Sequence, residues 1–418
     1  MTHLIKKLQL FLLFMCAATY SLFAASANAD GGTAKQFLYT ISNSSSGNSV
    51  LGYQVGSNGS LLLLPGSPYS TNGLGQGLSL LVSGDSGIVV SADQRFLFAP
   101  NRGSNTIAVF RIGQKGVLTS VPGSPFPTGG ITPTSLALHE NLLFVSHTGL
   151  GLFANCSGCD YRGFRVSRSG RLTPIEGATI KLSETPPSAP FAIRFSPDGR
   201  FLIGTETVAS KINVYEVERD AKPGRPTLIP VPGSPFNSIG KLPLGFYFNP
   251  NNPTHLFISN LEAVPGVGSV SSYLLANSGQ IAPIESPVPS GQTSTCWVNV
   301  TSDGKWLFAT NTDSDSIGTY GVAVDGKLTL ASTTLIPRNG VPNSSLIAPV
   351  DIAITSGDKY LYVLTRDVAT IMGFKIGPDG KLTAIGSTEI GVSDAFPFGI
   401  VTVNLSKSTA HDFSYDQE

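Results

Sequence analysis

Apolar and polar residues alternate along this chain with a period of two, in short runs broken by turn-forming residues. Some runs, such as FLFAPN at 96–101, are apolar almost throughout, while others, such as TIAVFRI at 106–112, mix polar residues in, and each stops at a cluster of Asp, Gly, Asn, Ser or Pro. Such alternation puts every second side chain on one face of an extended strand. No window longer than a turn has helical spacing, so the pattern predicts an all-β chain.

The strands recur in a fixed order. The stretch SADQRFLFAPNRGSNTIAVFRI (91–112) returns as SPDGRFLIGTETVASKINVYEV (196–217), TSDGKWLFATNTDSDSIGTYGV (301–322) and TSGDKYLYVLTRDVATIMGFKI (355–376). A phrase returning about every 50 residues means one supersecondary unit stacked on copies of itself. Each copy reads as strand a, an Asp-Gly-type turn, strand b, a polar loop, strand c, a second Asp-Gly turn and strand d, which is a propeller blade. Strand b is expected near Phe37, Phe96, Leu142, Phe201, Leu256, Trp306 and Tyr360, hence seven blades. Strand a is expected near Ile88, Ser135, Ala192, Gly245, Trp297 and Asp351, so the first blade lacks one. Residues 398–404 (FGIVTVN) read as a spare strand a. The expectation is a seven-bladed β-propeller closed by the C-terminal strand pairing into the N-terminal blade, which removes exposed edges. PGSP at 65–68, 122–125 and 232–235 is expected where strand d ends and the chain turns to the next blade.

The N-terminus breaks the pattern. Lys6 and Lys7 precede the apolar stretch Leu10 to Ala18, and Ala27-Asn28-Ala29 forms an A-x-A site. This reads as a signal peptide over 1–29, a single propeller domain over 30–405 and a polar tail over 406–418. The chain is thus expected to be exported, to periplasm or medium, as a monomer with no membrane span. Lys and Arg number 27 and Asp and Glu 27, a formal net charge of zero. No basic field is present to neutralise phosphates, which excludes a nucleic-acid partner.

The blade order places the b–c and d–a loops at one mouth of the central channel. Polar groups there are the default site for a small-molecule or carbohydrate ligand. Glu206, Glu262, His147, Arg102 and Arg366 are the catalytic candidates, with a carboxylate as base, an Arg for an oxyanion and His147 as proton donor. Asn101, Asn260, Cys296, Trp297, Asn311 and Asp313 are candidate ligand contacts. An alternative for Asn101, Asn311 and Asp313 is that they satisfy turn backbone. Cys156 and Cys159 suit a local disulfide in an exported chain; a redox dithiol and a zinc site with His147 are the alternatives. No metal site and no cofactor are predicted, since the known phosphate, dinucleotide and metalloprotease motifs are missing.

FSPDGRFL (195–202), NTIAVFRI (105–112) and VDGKLTL (324–330) resemble the lactonase-type seven-bladed propellers. That family includes phosphogluconolactonases and fungal enzymes that interconvert carboxymuconate and its lactone. PFAIRFSPDGRFLIGTET (190–207) and SGQTSTCWVNVTSDGKWLFATNT (290–312) resemble a secreted, carboxymuconate cyclase-like branch. Members with assigned lactone chemistry carry Pro-His-x-His before the blade-four turn, where this chain has Pro190-Phe191-Ala192-Ile193. The resemblance implies a lactone hydrolase or cycloisomerase-like enzyme at the channel mouth. The residues leave open a second reading, a non-catalytic exported propeller that binds a glycan, peptide or envelope component.

Overall fold

The computed structural model describes residues 34–77, 84–149, 156–183, 187–218, 228–262, 264–342 and 345–405. The expected signal peptide (1–29) and polar tail (406–418) lie outside the described residues. Lys35–Leu405 forms one compact unit. Its strands make seven antiparallel sheets, each ordered a-b-c-d, and the only helical turn among the described residues is Thr312–Ser314. Strand b occupies Lys35–Ile41, Phe96–Asn101, Leu142–Thr148, Phe201–Glu206, Asn252–Asn260, Trp306–Asn311 and Tyr360–Thr365 in blades one to seven.

Ile400–Leu405 closes the ring. It pairs antiparallel with Lys35–Ile41, with Phe37 opposite Val403 and Thr40 opposite Ile400, and so serves as strand a of blade one. A second clasp lies just upstream. The Asp394 carboxylate accepts hydrogen bonds from the Ser44 hydroxyl (2.6 Å), the Ser45 amide (3.0 Å) and hydroxyl (2.9 Å), and the Ser46 amide (3.2 Å) and hydroxyl (3.0 Å). These bonds tie the last inter-blade segment to the b–c loop of blade one.

Neighbouring blades are keyed by the repeat itself. The aromatic residue that opens strand b packs on the glycine of the next blade's c–d turn. Phe37 covers Gly116, Phe96 covers Gly170, Phe201 covers Gly279 and Trp306 covers Gly380. Tyr360 of blade seven covers Gly59 of blade one and donates its hydroxyl to Ser57 O at 2.6 Å, so the series runs across the closure. Gly116 has φ 75°, and a Cβ there would lie 2.4 Å from the Phe37 ring. Both backbone and contact therefore require glycine. The a–b turns before Phe96, Phe201, Trp306 and Tyr360 are held by their leading hydroxyls, which accept from the aromatic residue's amide. Ser196 Oγ, for example, donates to Asp198 at 2.6 Å and accepts from the Phe201 amide at 3.0 Å.

PGSP sits elsewhere than expected. It interrupts strand d rather than ending it. In blade one, Leu61–Leu63 pairs with one end of strand c, PGSP bulges out, and Tyr69–Ser70 pairs with the other end. Blades two and four repeat the arrangement. The motif serine explains it: Ser67, Ser124 and Ser234 each accept from a strand c amide, those of Gly52 (3.1 Å), Val109 (2.8 Å) and Val214 (2.9 Å). The bulge would otherwise leave those amides unpaired.

Two outcomes are expected. Gly116→Ala lowers stability by about 1–3 kcal/mol in denaturant melts, through overpacking against Phe37 and strained φ; an unchanged midpoint refutes the keying. The Ser hydrogen bonds hold the Asp394 carboxyl down at about 2. A depressed carboxyl contributes stability above its unfolded value and loses it as pH falls. Asp394→Asn therefore lowers Tm at neutral pH, and its Tm converges with wild type near pH 2.

Candidate functional site

Strand a begins where strand b ends, with Pro190 opposite Glu206, Pro243 opposite Asn260 and Pro349 opposite Thr365. The b–c and d–a ends therefore share one mouth of the channel. The strand-b termini there are buried rather than presented. Asn101 donates to Thr106 Oγ1 (2.9 Å) and accepts from Asn48 (2.9 Å); Asn260 donates to Ser269 (3.0 Å) and Ser271 (2.8 Å). Asn311 donates to Ser316 (3.1 Å) and accepts from Thr295 (2.8 Å). A glycine from the preceding d–a loop lies on the side chain in three blades: Gly73 on Asn101, Gly130 on His147 and Gly240 on Asn260. These asparagines crosslink the ends of strands.

His147 fills the same slot in blade three. It is fully buried, and its Nδ1 lies 2.7 Å from Asp160 Oδ1. Arg162 binds the other Asp160 oxygen through Nε (2.8 Å) and Nη2 (2.7 Å). Burial pushes the Asp160 carboxyl up, but the bonds from His147 and Arg162 prevail and hold it below its usual range. Cys156 and Cys159 are joined, with Cα atoms 5.1 Å apart. Among the described residues no group of three or more His, Cys, Asp or Glu is placed to hold a metal. Glu206 is buried and accepts from the Asn213 amide group; burial raises its carboxyl. Glu262 accepts from the Lys241 amide and the Ser269 hydroxyl, both at 3.2 Å. Each of these acids and His147 is thus bonded within its own blade.

Apolar side chains fill this half of the channel. Phe191 lies 5.4 Å from Trp297, Trp297 6.1 Å from Phe398 and Phe398 5.5 Å from Phe396, centroid to centroid. Leu244, Val350 and Cys296 complete the packing. Arg102 lies 4.8 Å over the Phe398 ring and Arg366 5.1 Å over that of Phe396. Arg366 also donates to Asp367 (2.7 Å), and Asp313, exposed, accepts from the Ser294 hydroxyl. Burial pushes the Cys296 thiol up to about 12, so it stays protonated at neutral pH and donates to Ser294 O at 3.0 Å. Phe191 stands where the resemblance expects a histidine.

The opposite half of the channel is open. A cavity of ≈ 740 Å³ reaches inward from the a–b turns, past Pro197, Ser302 and Asp358, to Asp85, Ser86 and Asp351. Its inner end is made by an inserted segment. Blade two has only Val89–Val90 as strand a, because the chain before it crosses the channel. The Asp85 amide donates to Phe191 O (3.2 Å), the Leu136 amide to Ser86 O (3.1 Å), and Gly87 lies against Gly399. Asp85 Oδ2 accepts from the Phe246 amide and from Arg194 Nη2, both at 3.3 Å. Arg194 stacks 4.7 Å over the Tyr247 ring. Asp351 accepts from its neighbour Ile352 N (2.9 Å) and from Ile400 N (3.2 Å) of the closing strand. Ser86 Oγ is buried, lines the cavity and has no hydrogen-bond partner.

Two buried carboxyls thus face two guanidiniums. Burial first, then the nearby Asp85 charge, raise the Asp351 carboxyl well above its ordinary value, against its two amide donors and Arg194. Burial lowers Arg102 to about 10, against the attraction of Asp351. Arg102 was nominated from sequence; Asp85, Ser86, Arg194 and Asp351 were not. Their signal was charge inside strand a, where Arg194 and Asp351 interrupt the apolar runs PFAIRF and PVDIAI. A raised carboxyl contributes stability at low pH that is lost as pH rises from 3.8 upward. The Tm of wild type minus that of Asp351→Asn should therefore fall as pH is raised from about 4 to about 8. A constant difference shows that Asp351 is ionised throughout.

Residues 33–149 match the family model described as Lactonase, 7-bladed beta-propeller. No curated protein matches the chain in sequence. Among solved structures, a Bacteroides fragilis protein provisionally assigned as a 6-phosphogluconolactonase is similar at a TM-score of 0.69 and 20% identity, covering 90% of this chain and 99% of its own. The periplasmic gluconolactonase of Pseudomonas aeruginosa is similar at 0.65 and 18%, covering 88% and 99%. At these identities the structures bear on the fold alone, and the match over residues 33–149 adds the sequence. The chain is thus similar to the lactonase-type seven-bladed β-propellers, in sequence over that stretch and in fold over its length.

Proposed function

We propose that this protein is an exported lactone hydrolase whose substrate enters the channel from the a–b face and reacts at its inner end. The pairing of Asp85 and Asp351 beside Arg194, at the end of a ≈ 740 Å³ cavity, carries the reading. Of the two nearby carboxyls, Asp351, raised by burial and by the Asp85 charge, suits the acid role, and Asp85 is left the base role. Asp85, bonded to Arg194, is the base that takes a proton from water as its oxygen attacks the lactone carbonyl. Arg194 and the Ser86 hydroxyl face the oxygen that becomes negative. Asp351 holds a proton, which it gives to the ring oxygen as the C–O bond breaks. Proton exchange between the two carboxyls restores the resting state, and one water has become the acyl hydroxyl and the new alcohol hydrogen. The named lactonases among the structural neighbours support the reaction class, and the 1–29 sequence pattern supports export.

The test is titration of acid release from a panel of sugar lactones and muconolactones. Asp351→Asn and Asp85→Asn, each shown to be folded, should lose about 100-fold or more in kcat, the range for removal of an acid or base. Arg194→Gln should lose about 100-fold through the oxyanion. If Glu206→Gln and Glu262→Gln abolish turnover while the channel variants keep it, the opposite mouth is the site and this assignment is wrong.

A further inference from the structure

Resting on that reading, we infer that the channel takes an uncharged polyhydroxylated lactone and discriminates against phosphorylated sugar lactones. The argument is the balance of charge on the cavity wall. Phosphate recognition needs unmatched cations, a helix N-terminus or a nest of amides. Among the described lining residues there is one arginine and no lysine. That arginine, Arg194, already serves Asp85 Oδ2 and donates through Nε to Phe246 O at 3.2 Å. Arg102 is sealed behind Phe398 and is not on the cavity wall.

The cavity's outer rim carries negative charge. Asp358 accepts two bonds from the Ser302 amide, at 3.0 and 2.9 Å, and one from its hydroxyl at 2.5 Å, which hold the carboxylate at the entrance. His139, also on the wall, packs 5.6 Å from Phe195 and lies 3.9 Å from Glu140. A phosphate dianion entering here would leave water and meet Asp358 before any free cation. The wall is instead suited to hydroxyl groups. Ser86 Oγ lacks a partner, and Tyr247 offers an aromatic face beside Arg194. These are the parts that bind a neutral sugar ring: single donors and acceptors at fixed points, with an apolar face.

Turnover of glucono-δ-lactone and of its 6-phosphate ester is compared in one buffer at one ionic strength. The neutral lactone should show kcat/KM at least about tenfold higher, a gap set by like-charge repulsion at the rim. Asn299→Lys, which adds a cation to the wall, should narrow that gap. Asp351→Asn should abolish turnover of both esters. Equal or preferred use of the phosphate ester, still lost in Asp351→Asn, overturns the charge inference and leaves the hydrolase reading standing. A second measurement needs no turnover: calorimetry with D-glucitol and D-glucitol 6-phosphate. Binding of glucitol with weaker or undetectable binding of its phosphate supports the inference. Tighter binding of the phosphate, or binding of neither, overturns it. Absence of turnover with every lactone overturns the hydrolase reading alone.

Discussion

The contact between a strand-b aromatic and the glycine of the next blade's turn is the constraint on which this structure rests. It is made at five of the seven junctions among the described residues and always in the same sense, from Phe37 on Gly116 to Tyr360 on Gly59. A single sheet of four short strands cannot bury both faces alone. The contact fixes how far each sheet turns relative to its neighbour, and repetition of that turn brings the seventh blade back to the first. Closure then depends on the spare C-terminal strand and on the Asp394 clasp, both of which act on blade one. The conserved-looking parts of the repeat are accounted for by packing before any chemistry is considered.

Closure also creates a channel, and the chain treats its two halves differently. One half is packed with Phe191, Trp297, Phe396 and Phe398, and the asparagines at the strand-b termini around it tie strands b and c together within their blades. The other half stays hollow and ends on charge. The boundary is the inserted turn at Gly84–Ile88, which takes the place of most of strand a in blade two. At Asp351 burial and the nearby Asp85 charge outweigh the amide donors and Arg194, which raises its carboxyl well above the ordinary value.

The blade order, the strand positions and the closing strand were legible because they follow from period-two alternation and from a phrase that repeats locally. Every b strand lies where the alternation puts it. The PGSP motif was read as a turn, correctly in kind, but its place inside strand d depends on which strand c amide each serine must satisfy, a contact fifteen to twenty residues away. The rim polar residues could not be sorted from sequence, because Asn101 bonded to Thr106 and an asparagine aimed at a ligand look alike in one dimension.

What the residues determined by themselves was the unit and its number, since strand propensity, turn chemistry and repetition are local properties. Which mouth stays open was decided by the tertiary structure. Asp85 and Asp351 lie far apart in the chain, and ring closure brings both to the wall of one cavity, while Phe191, Trp297, Phe396 and Phe398 pack together in the other half. Such a meeting depends on the sum of seven inter-blade rotations, and no single stretch of sequence encodes it.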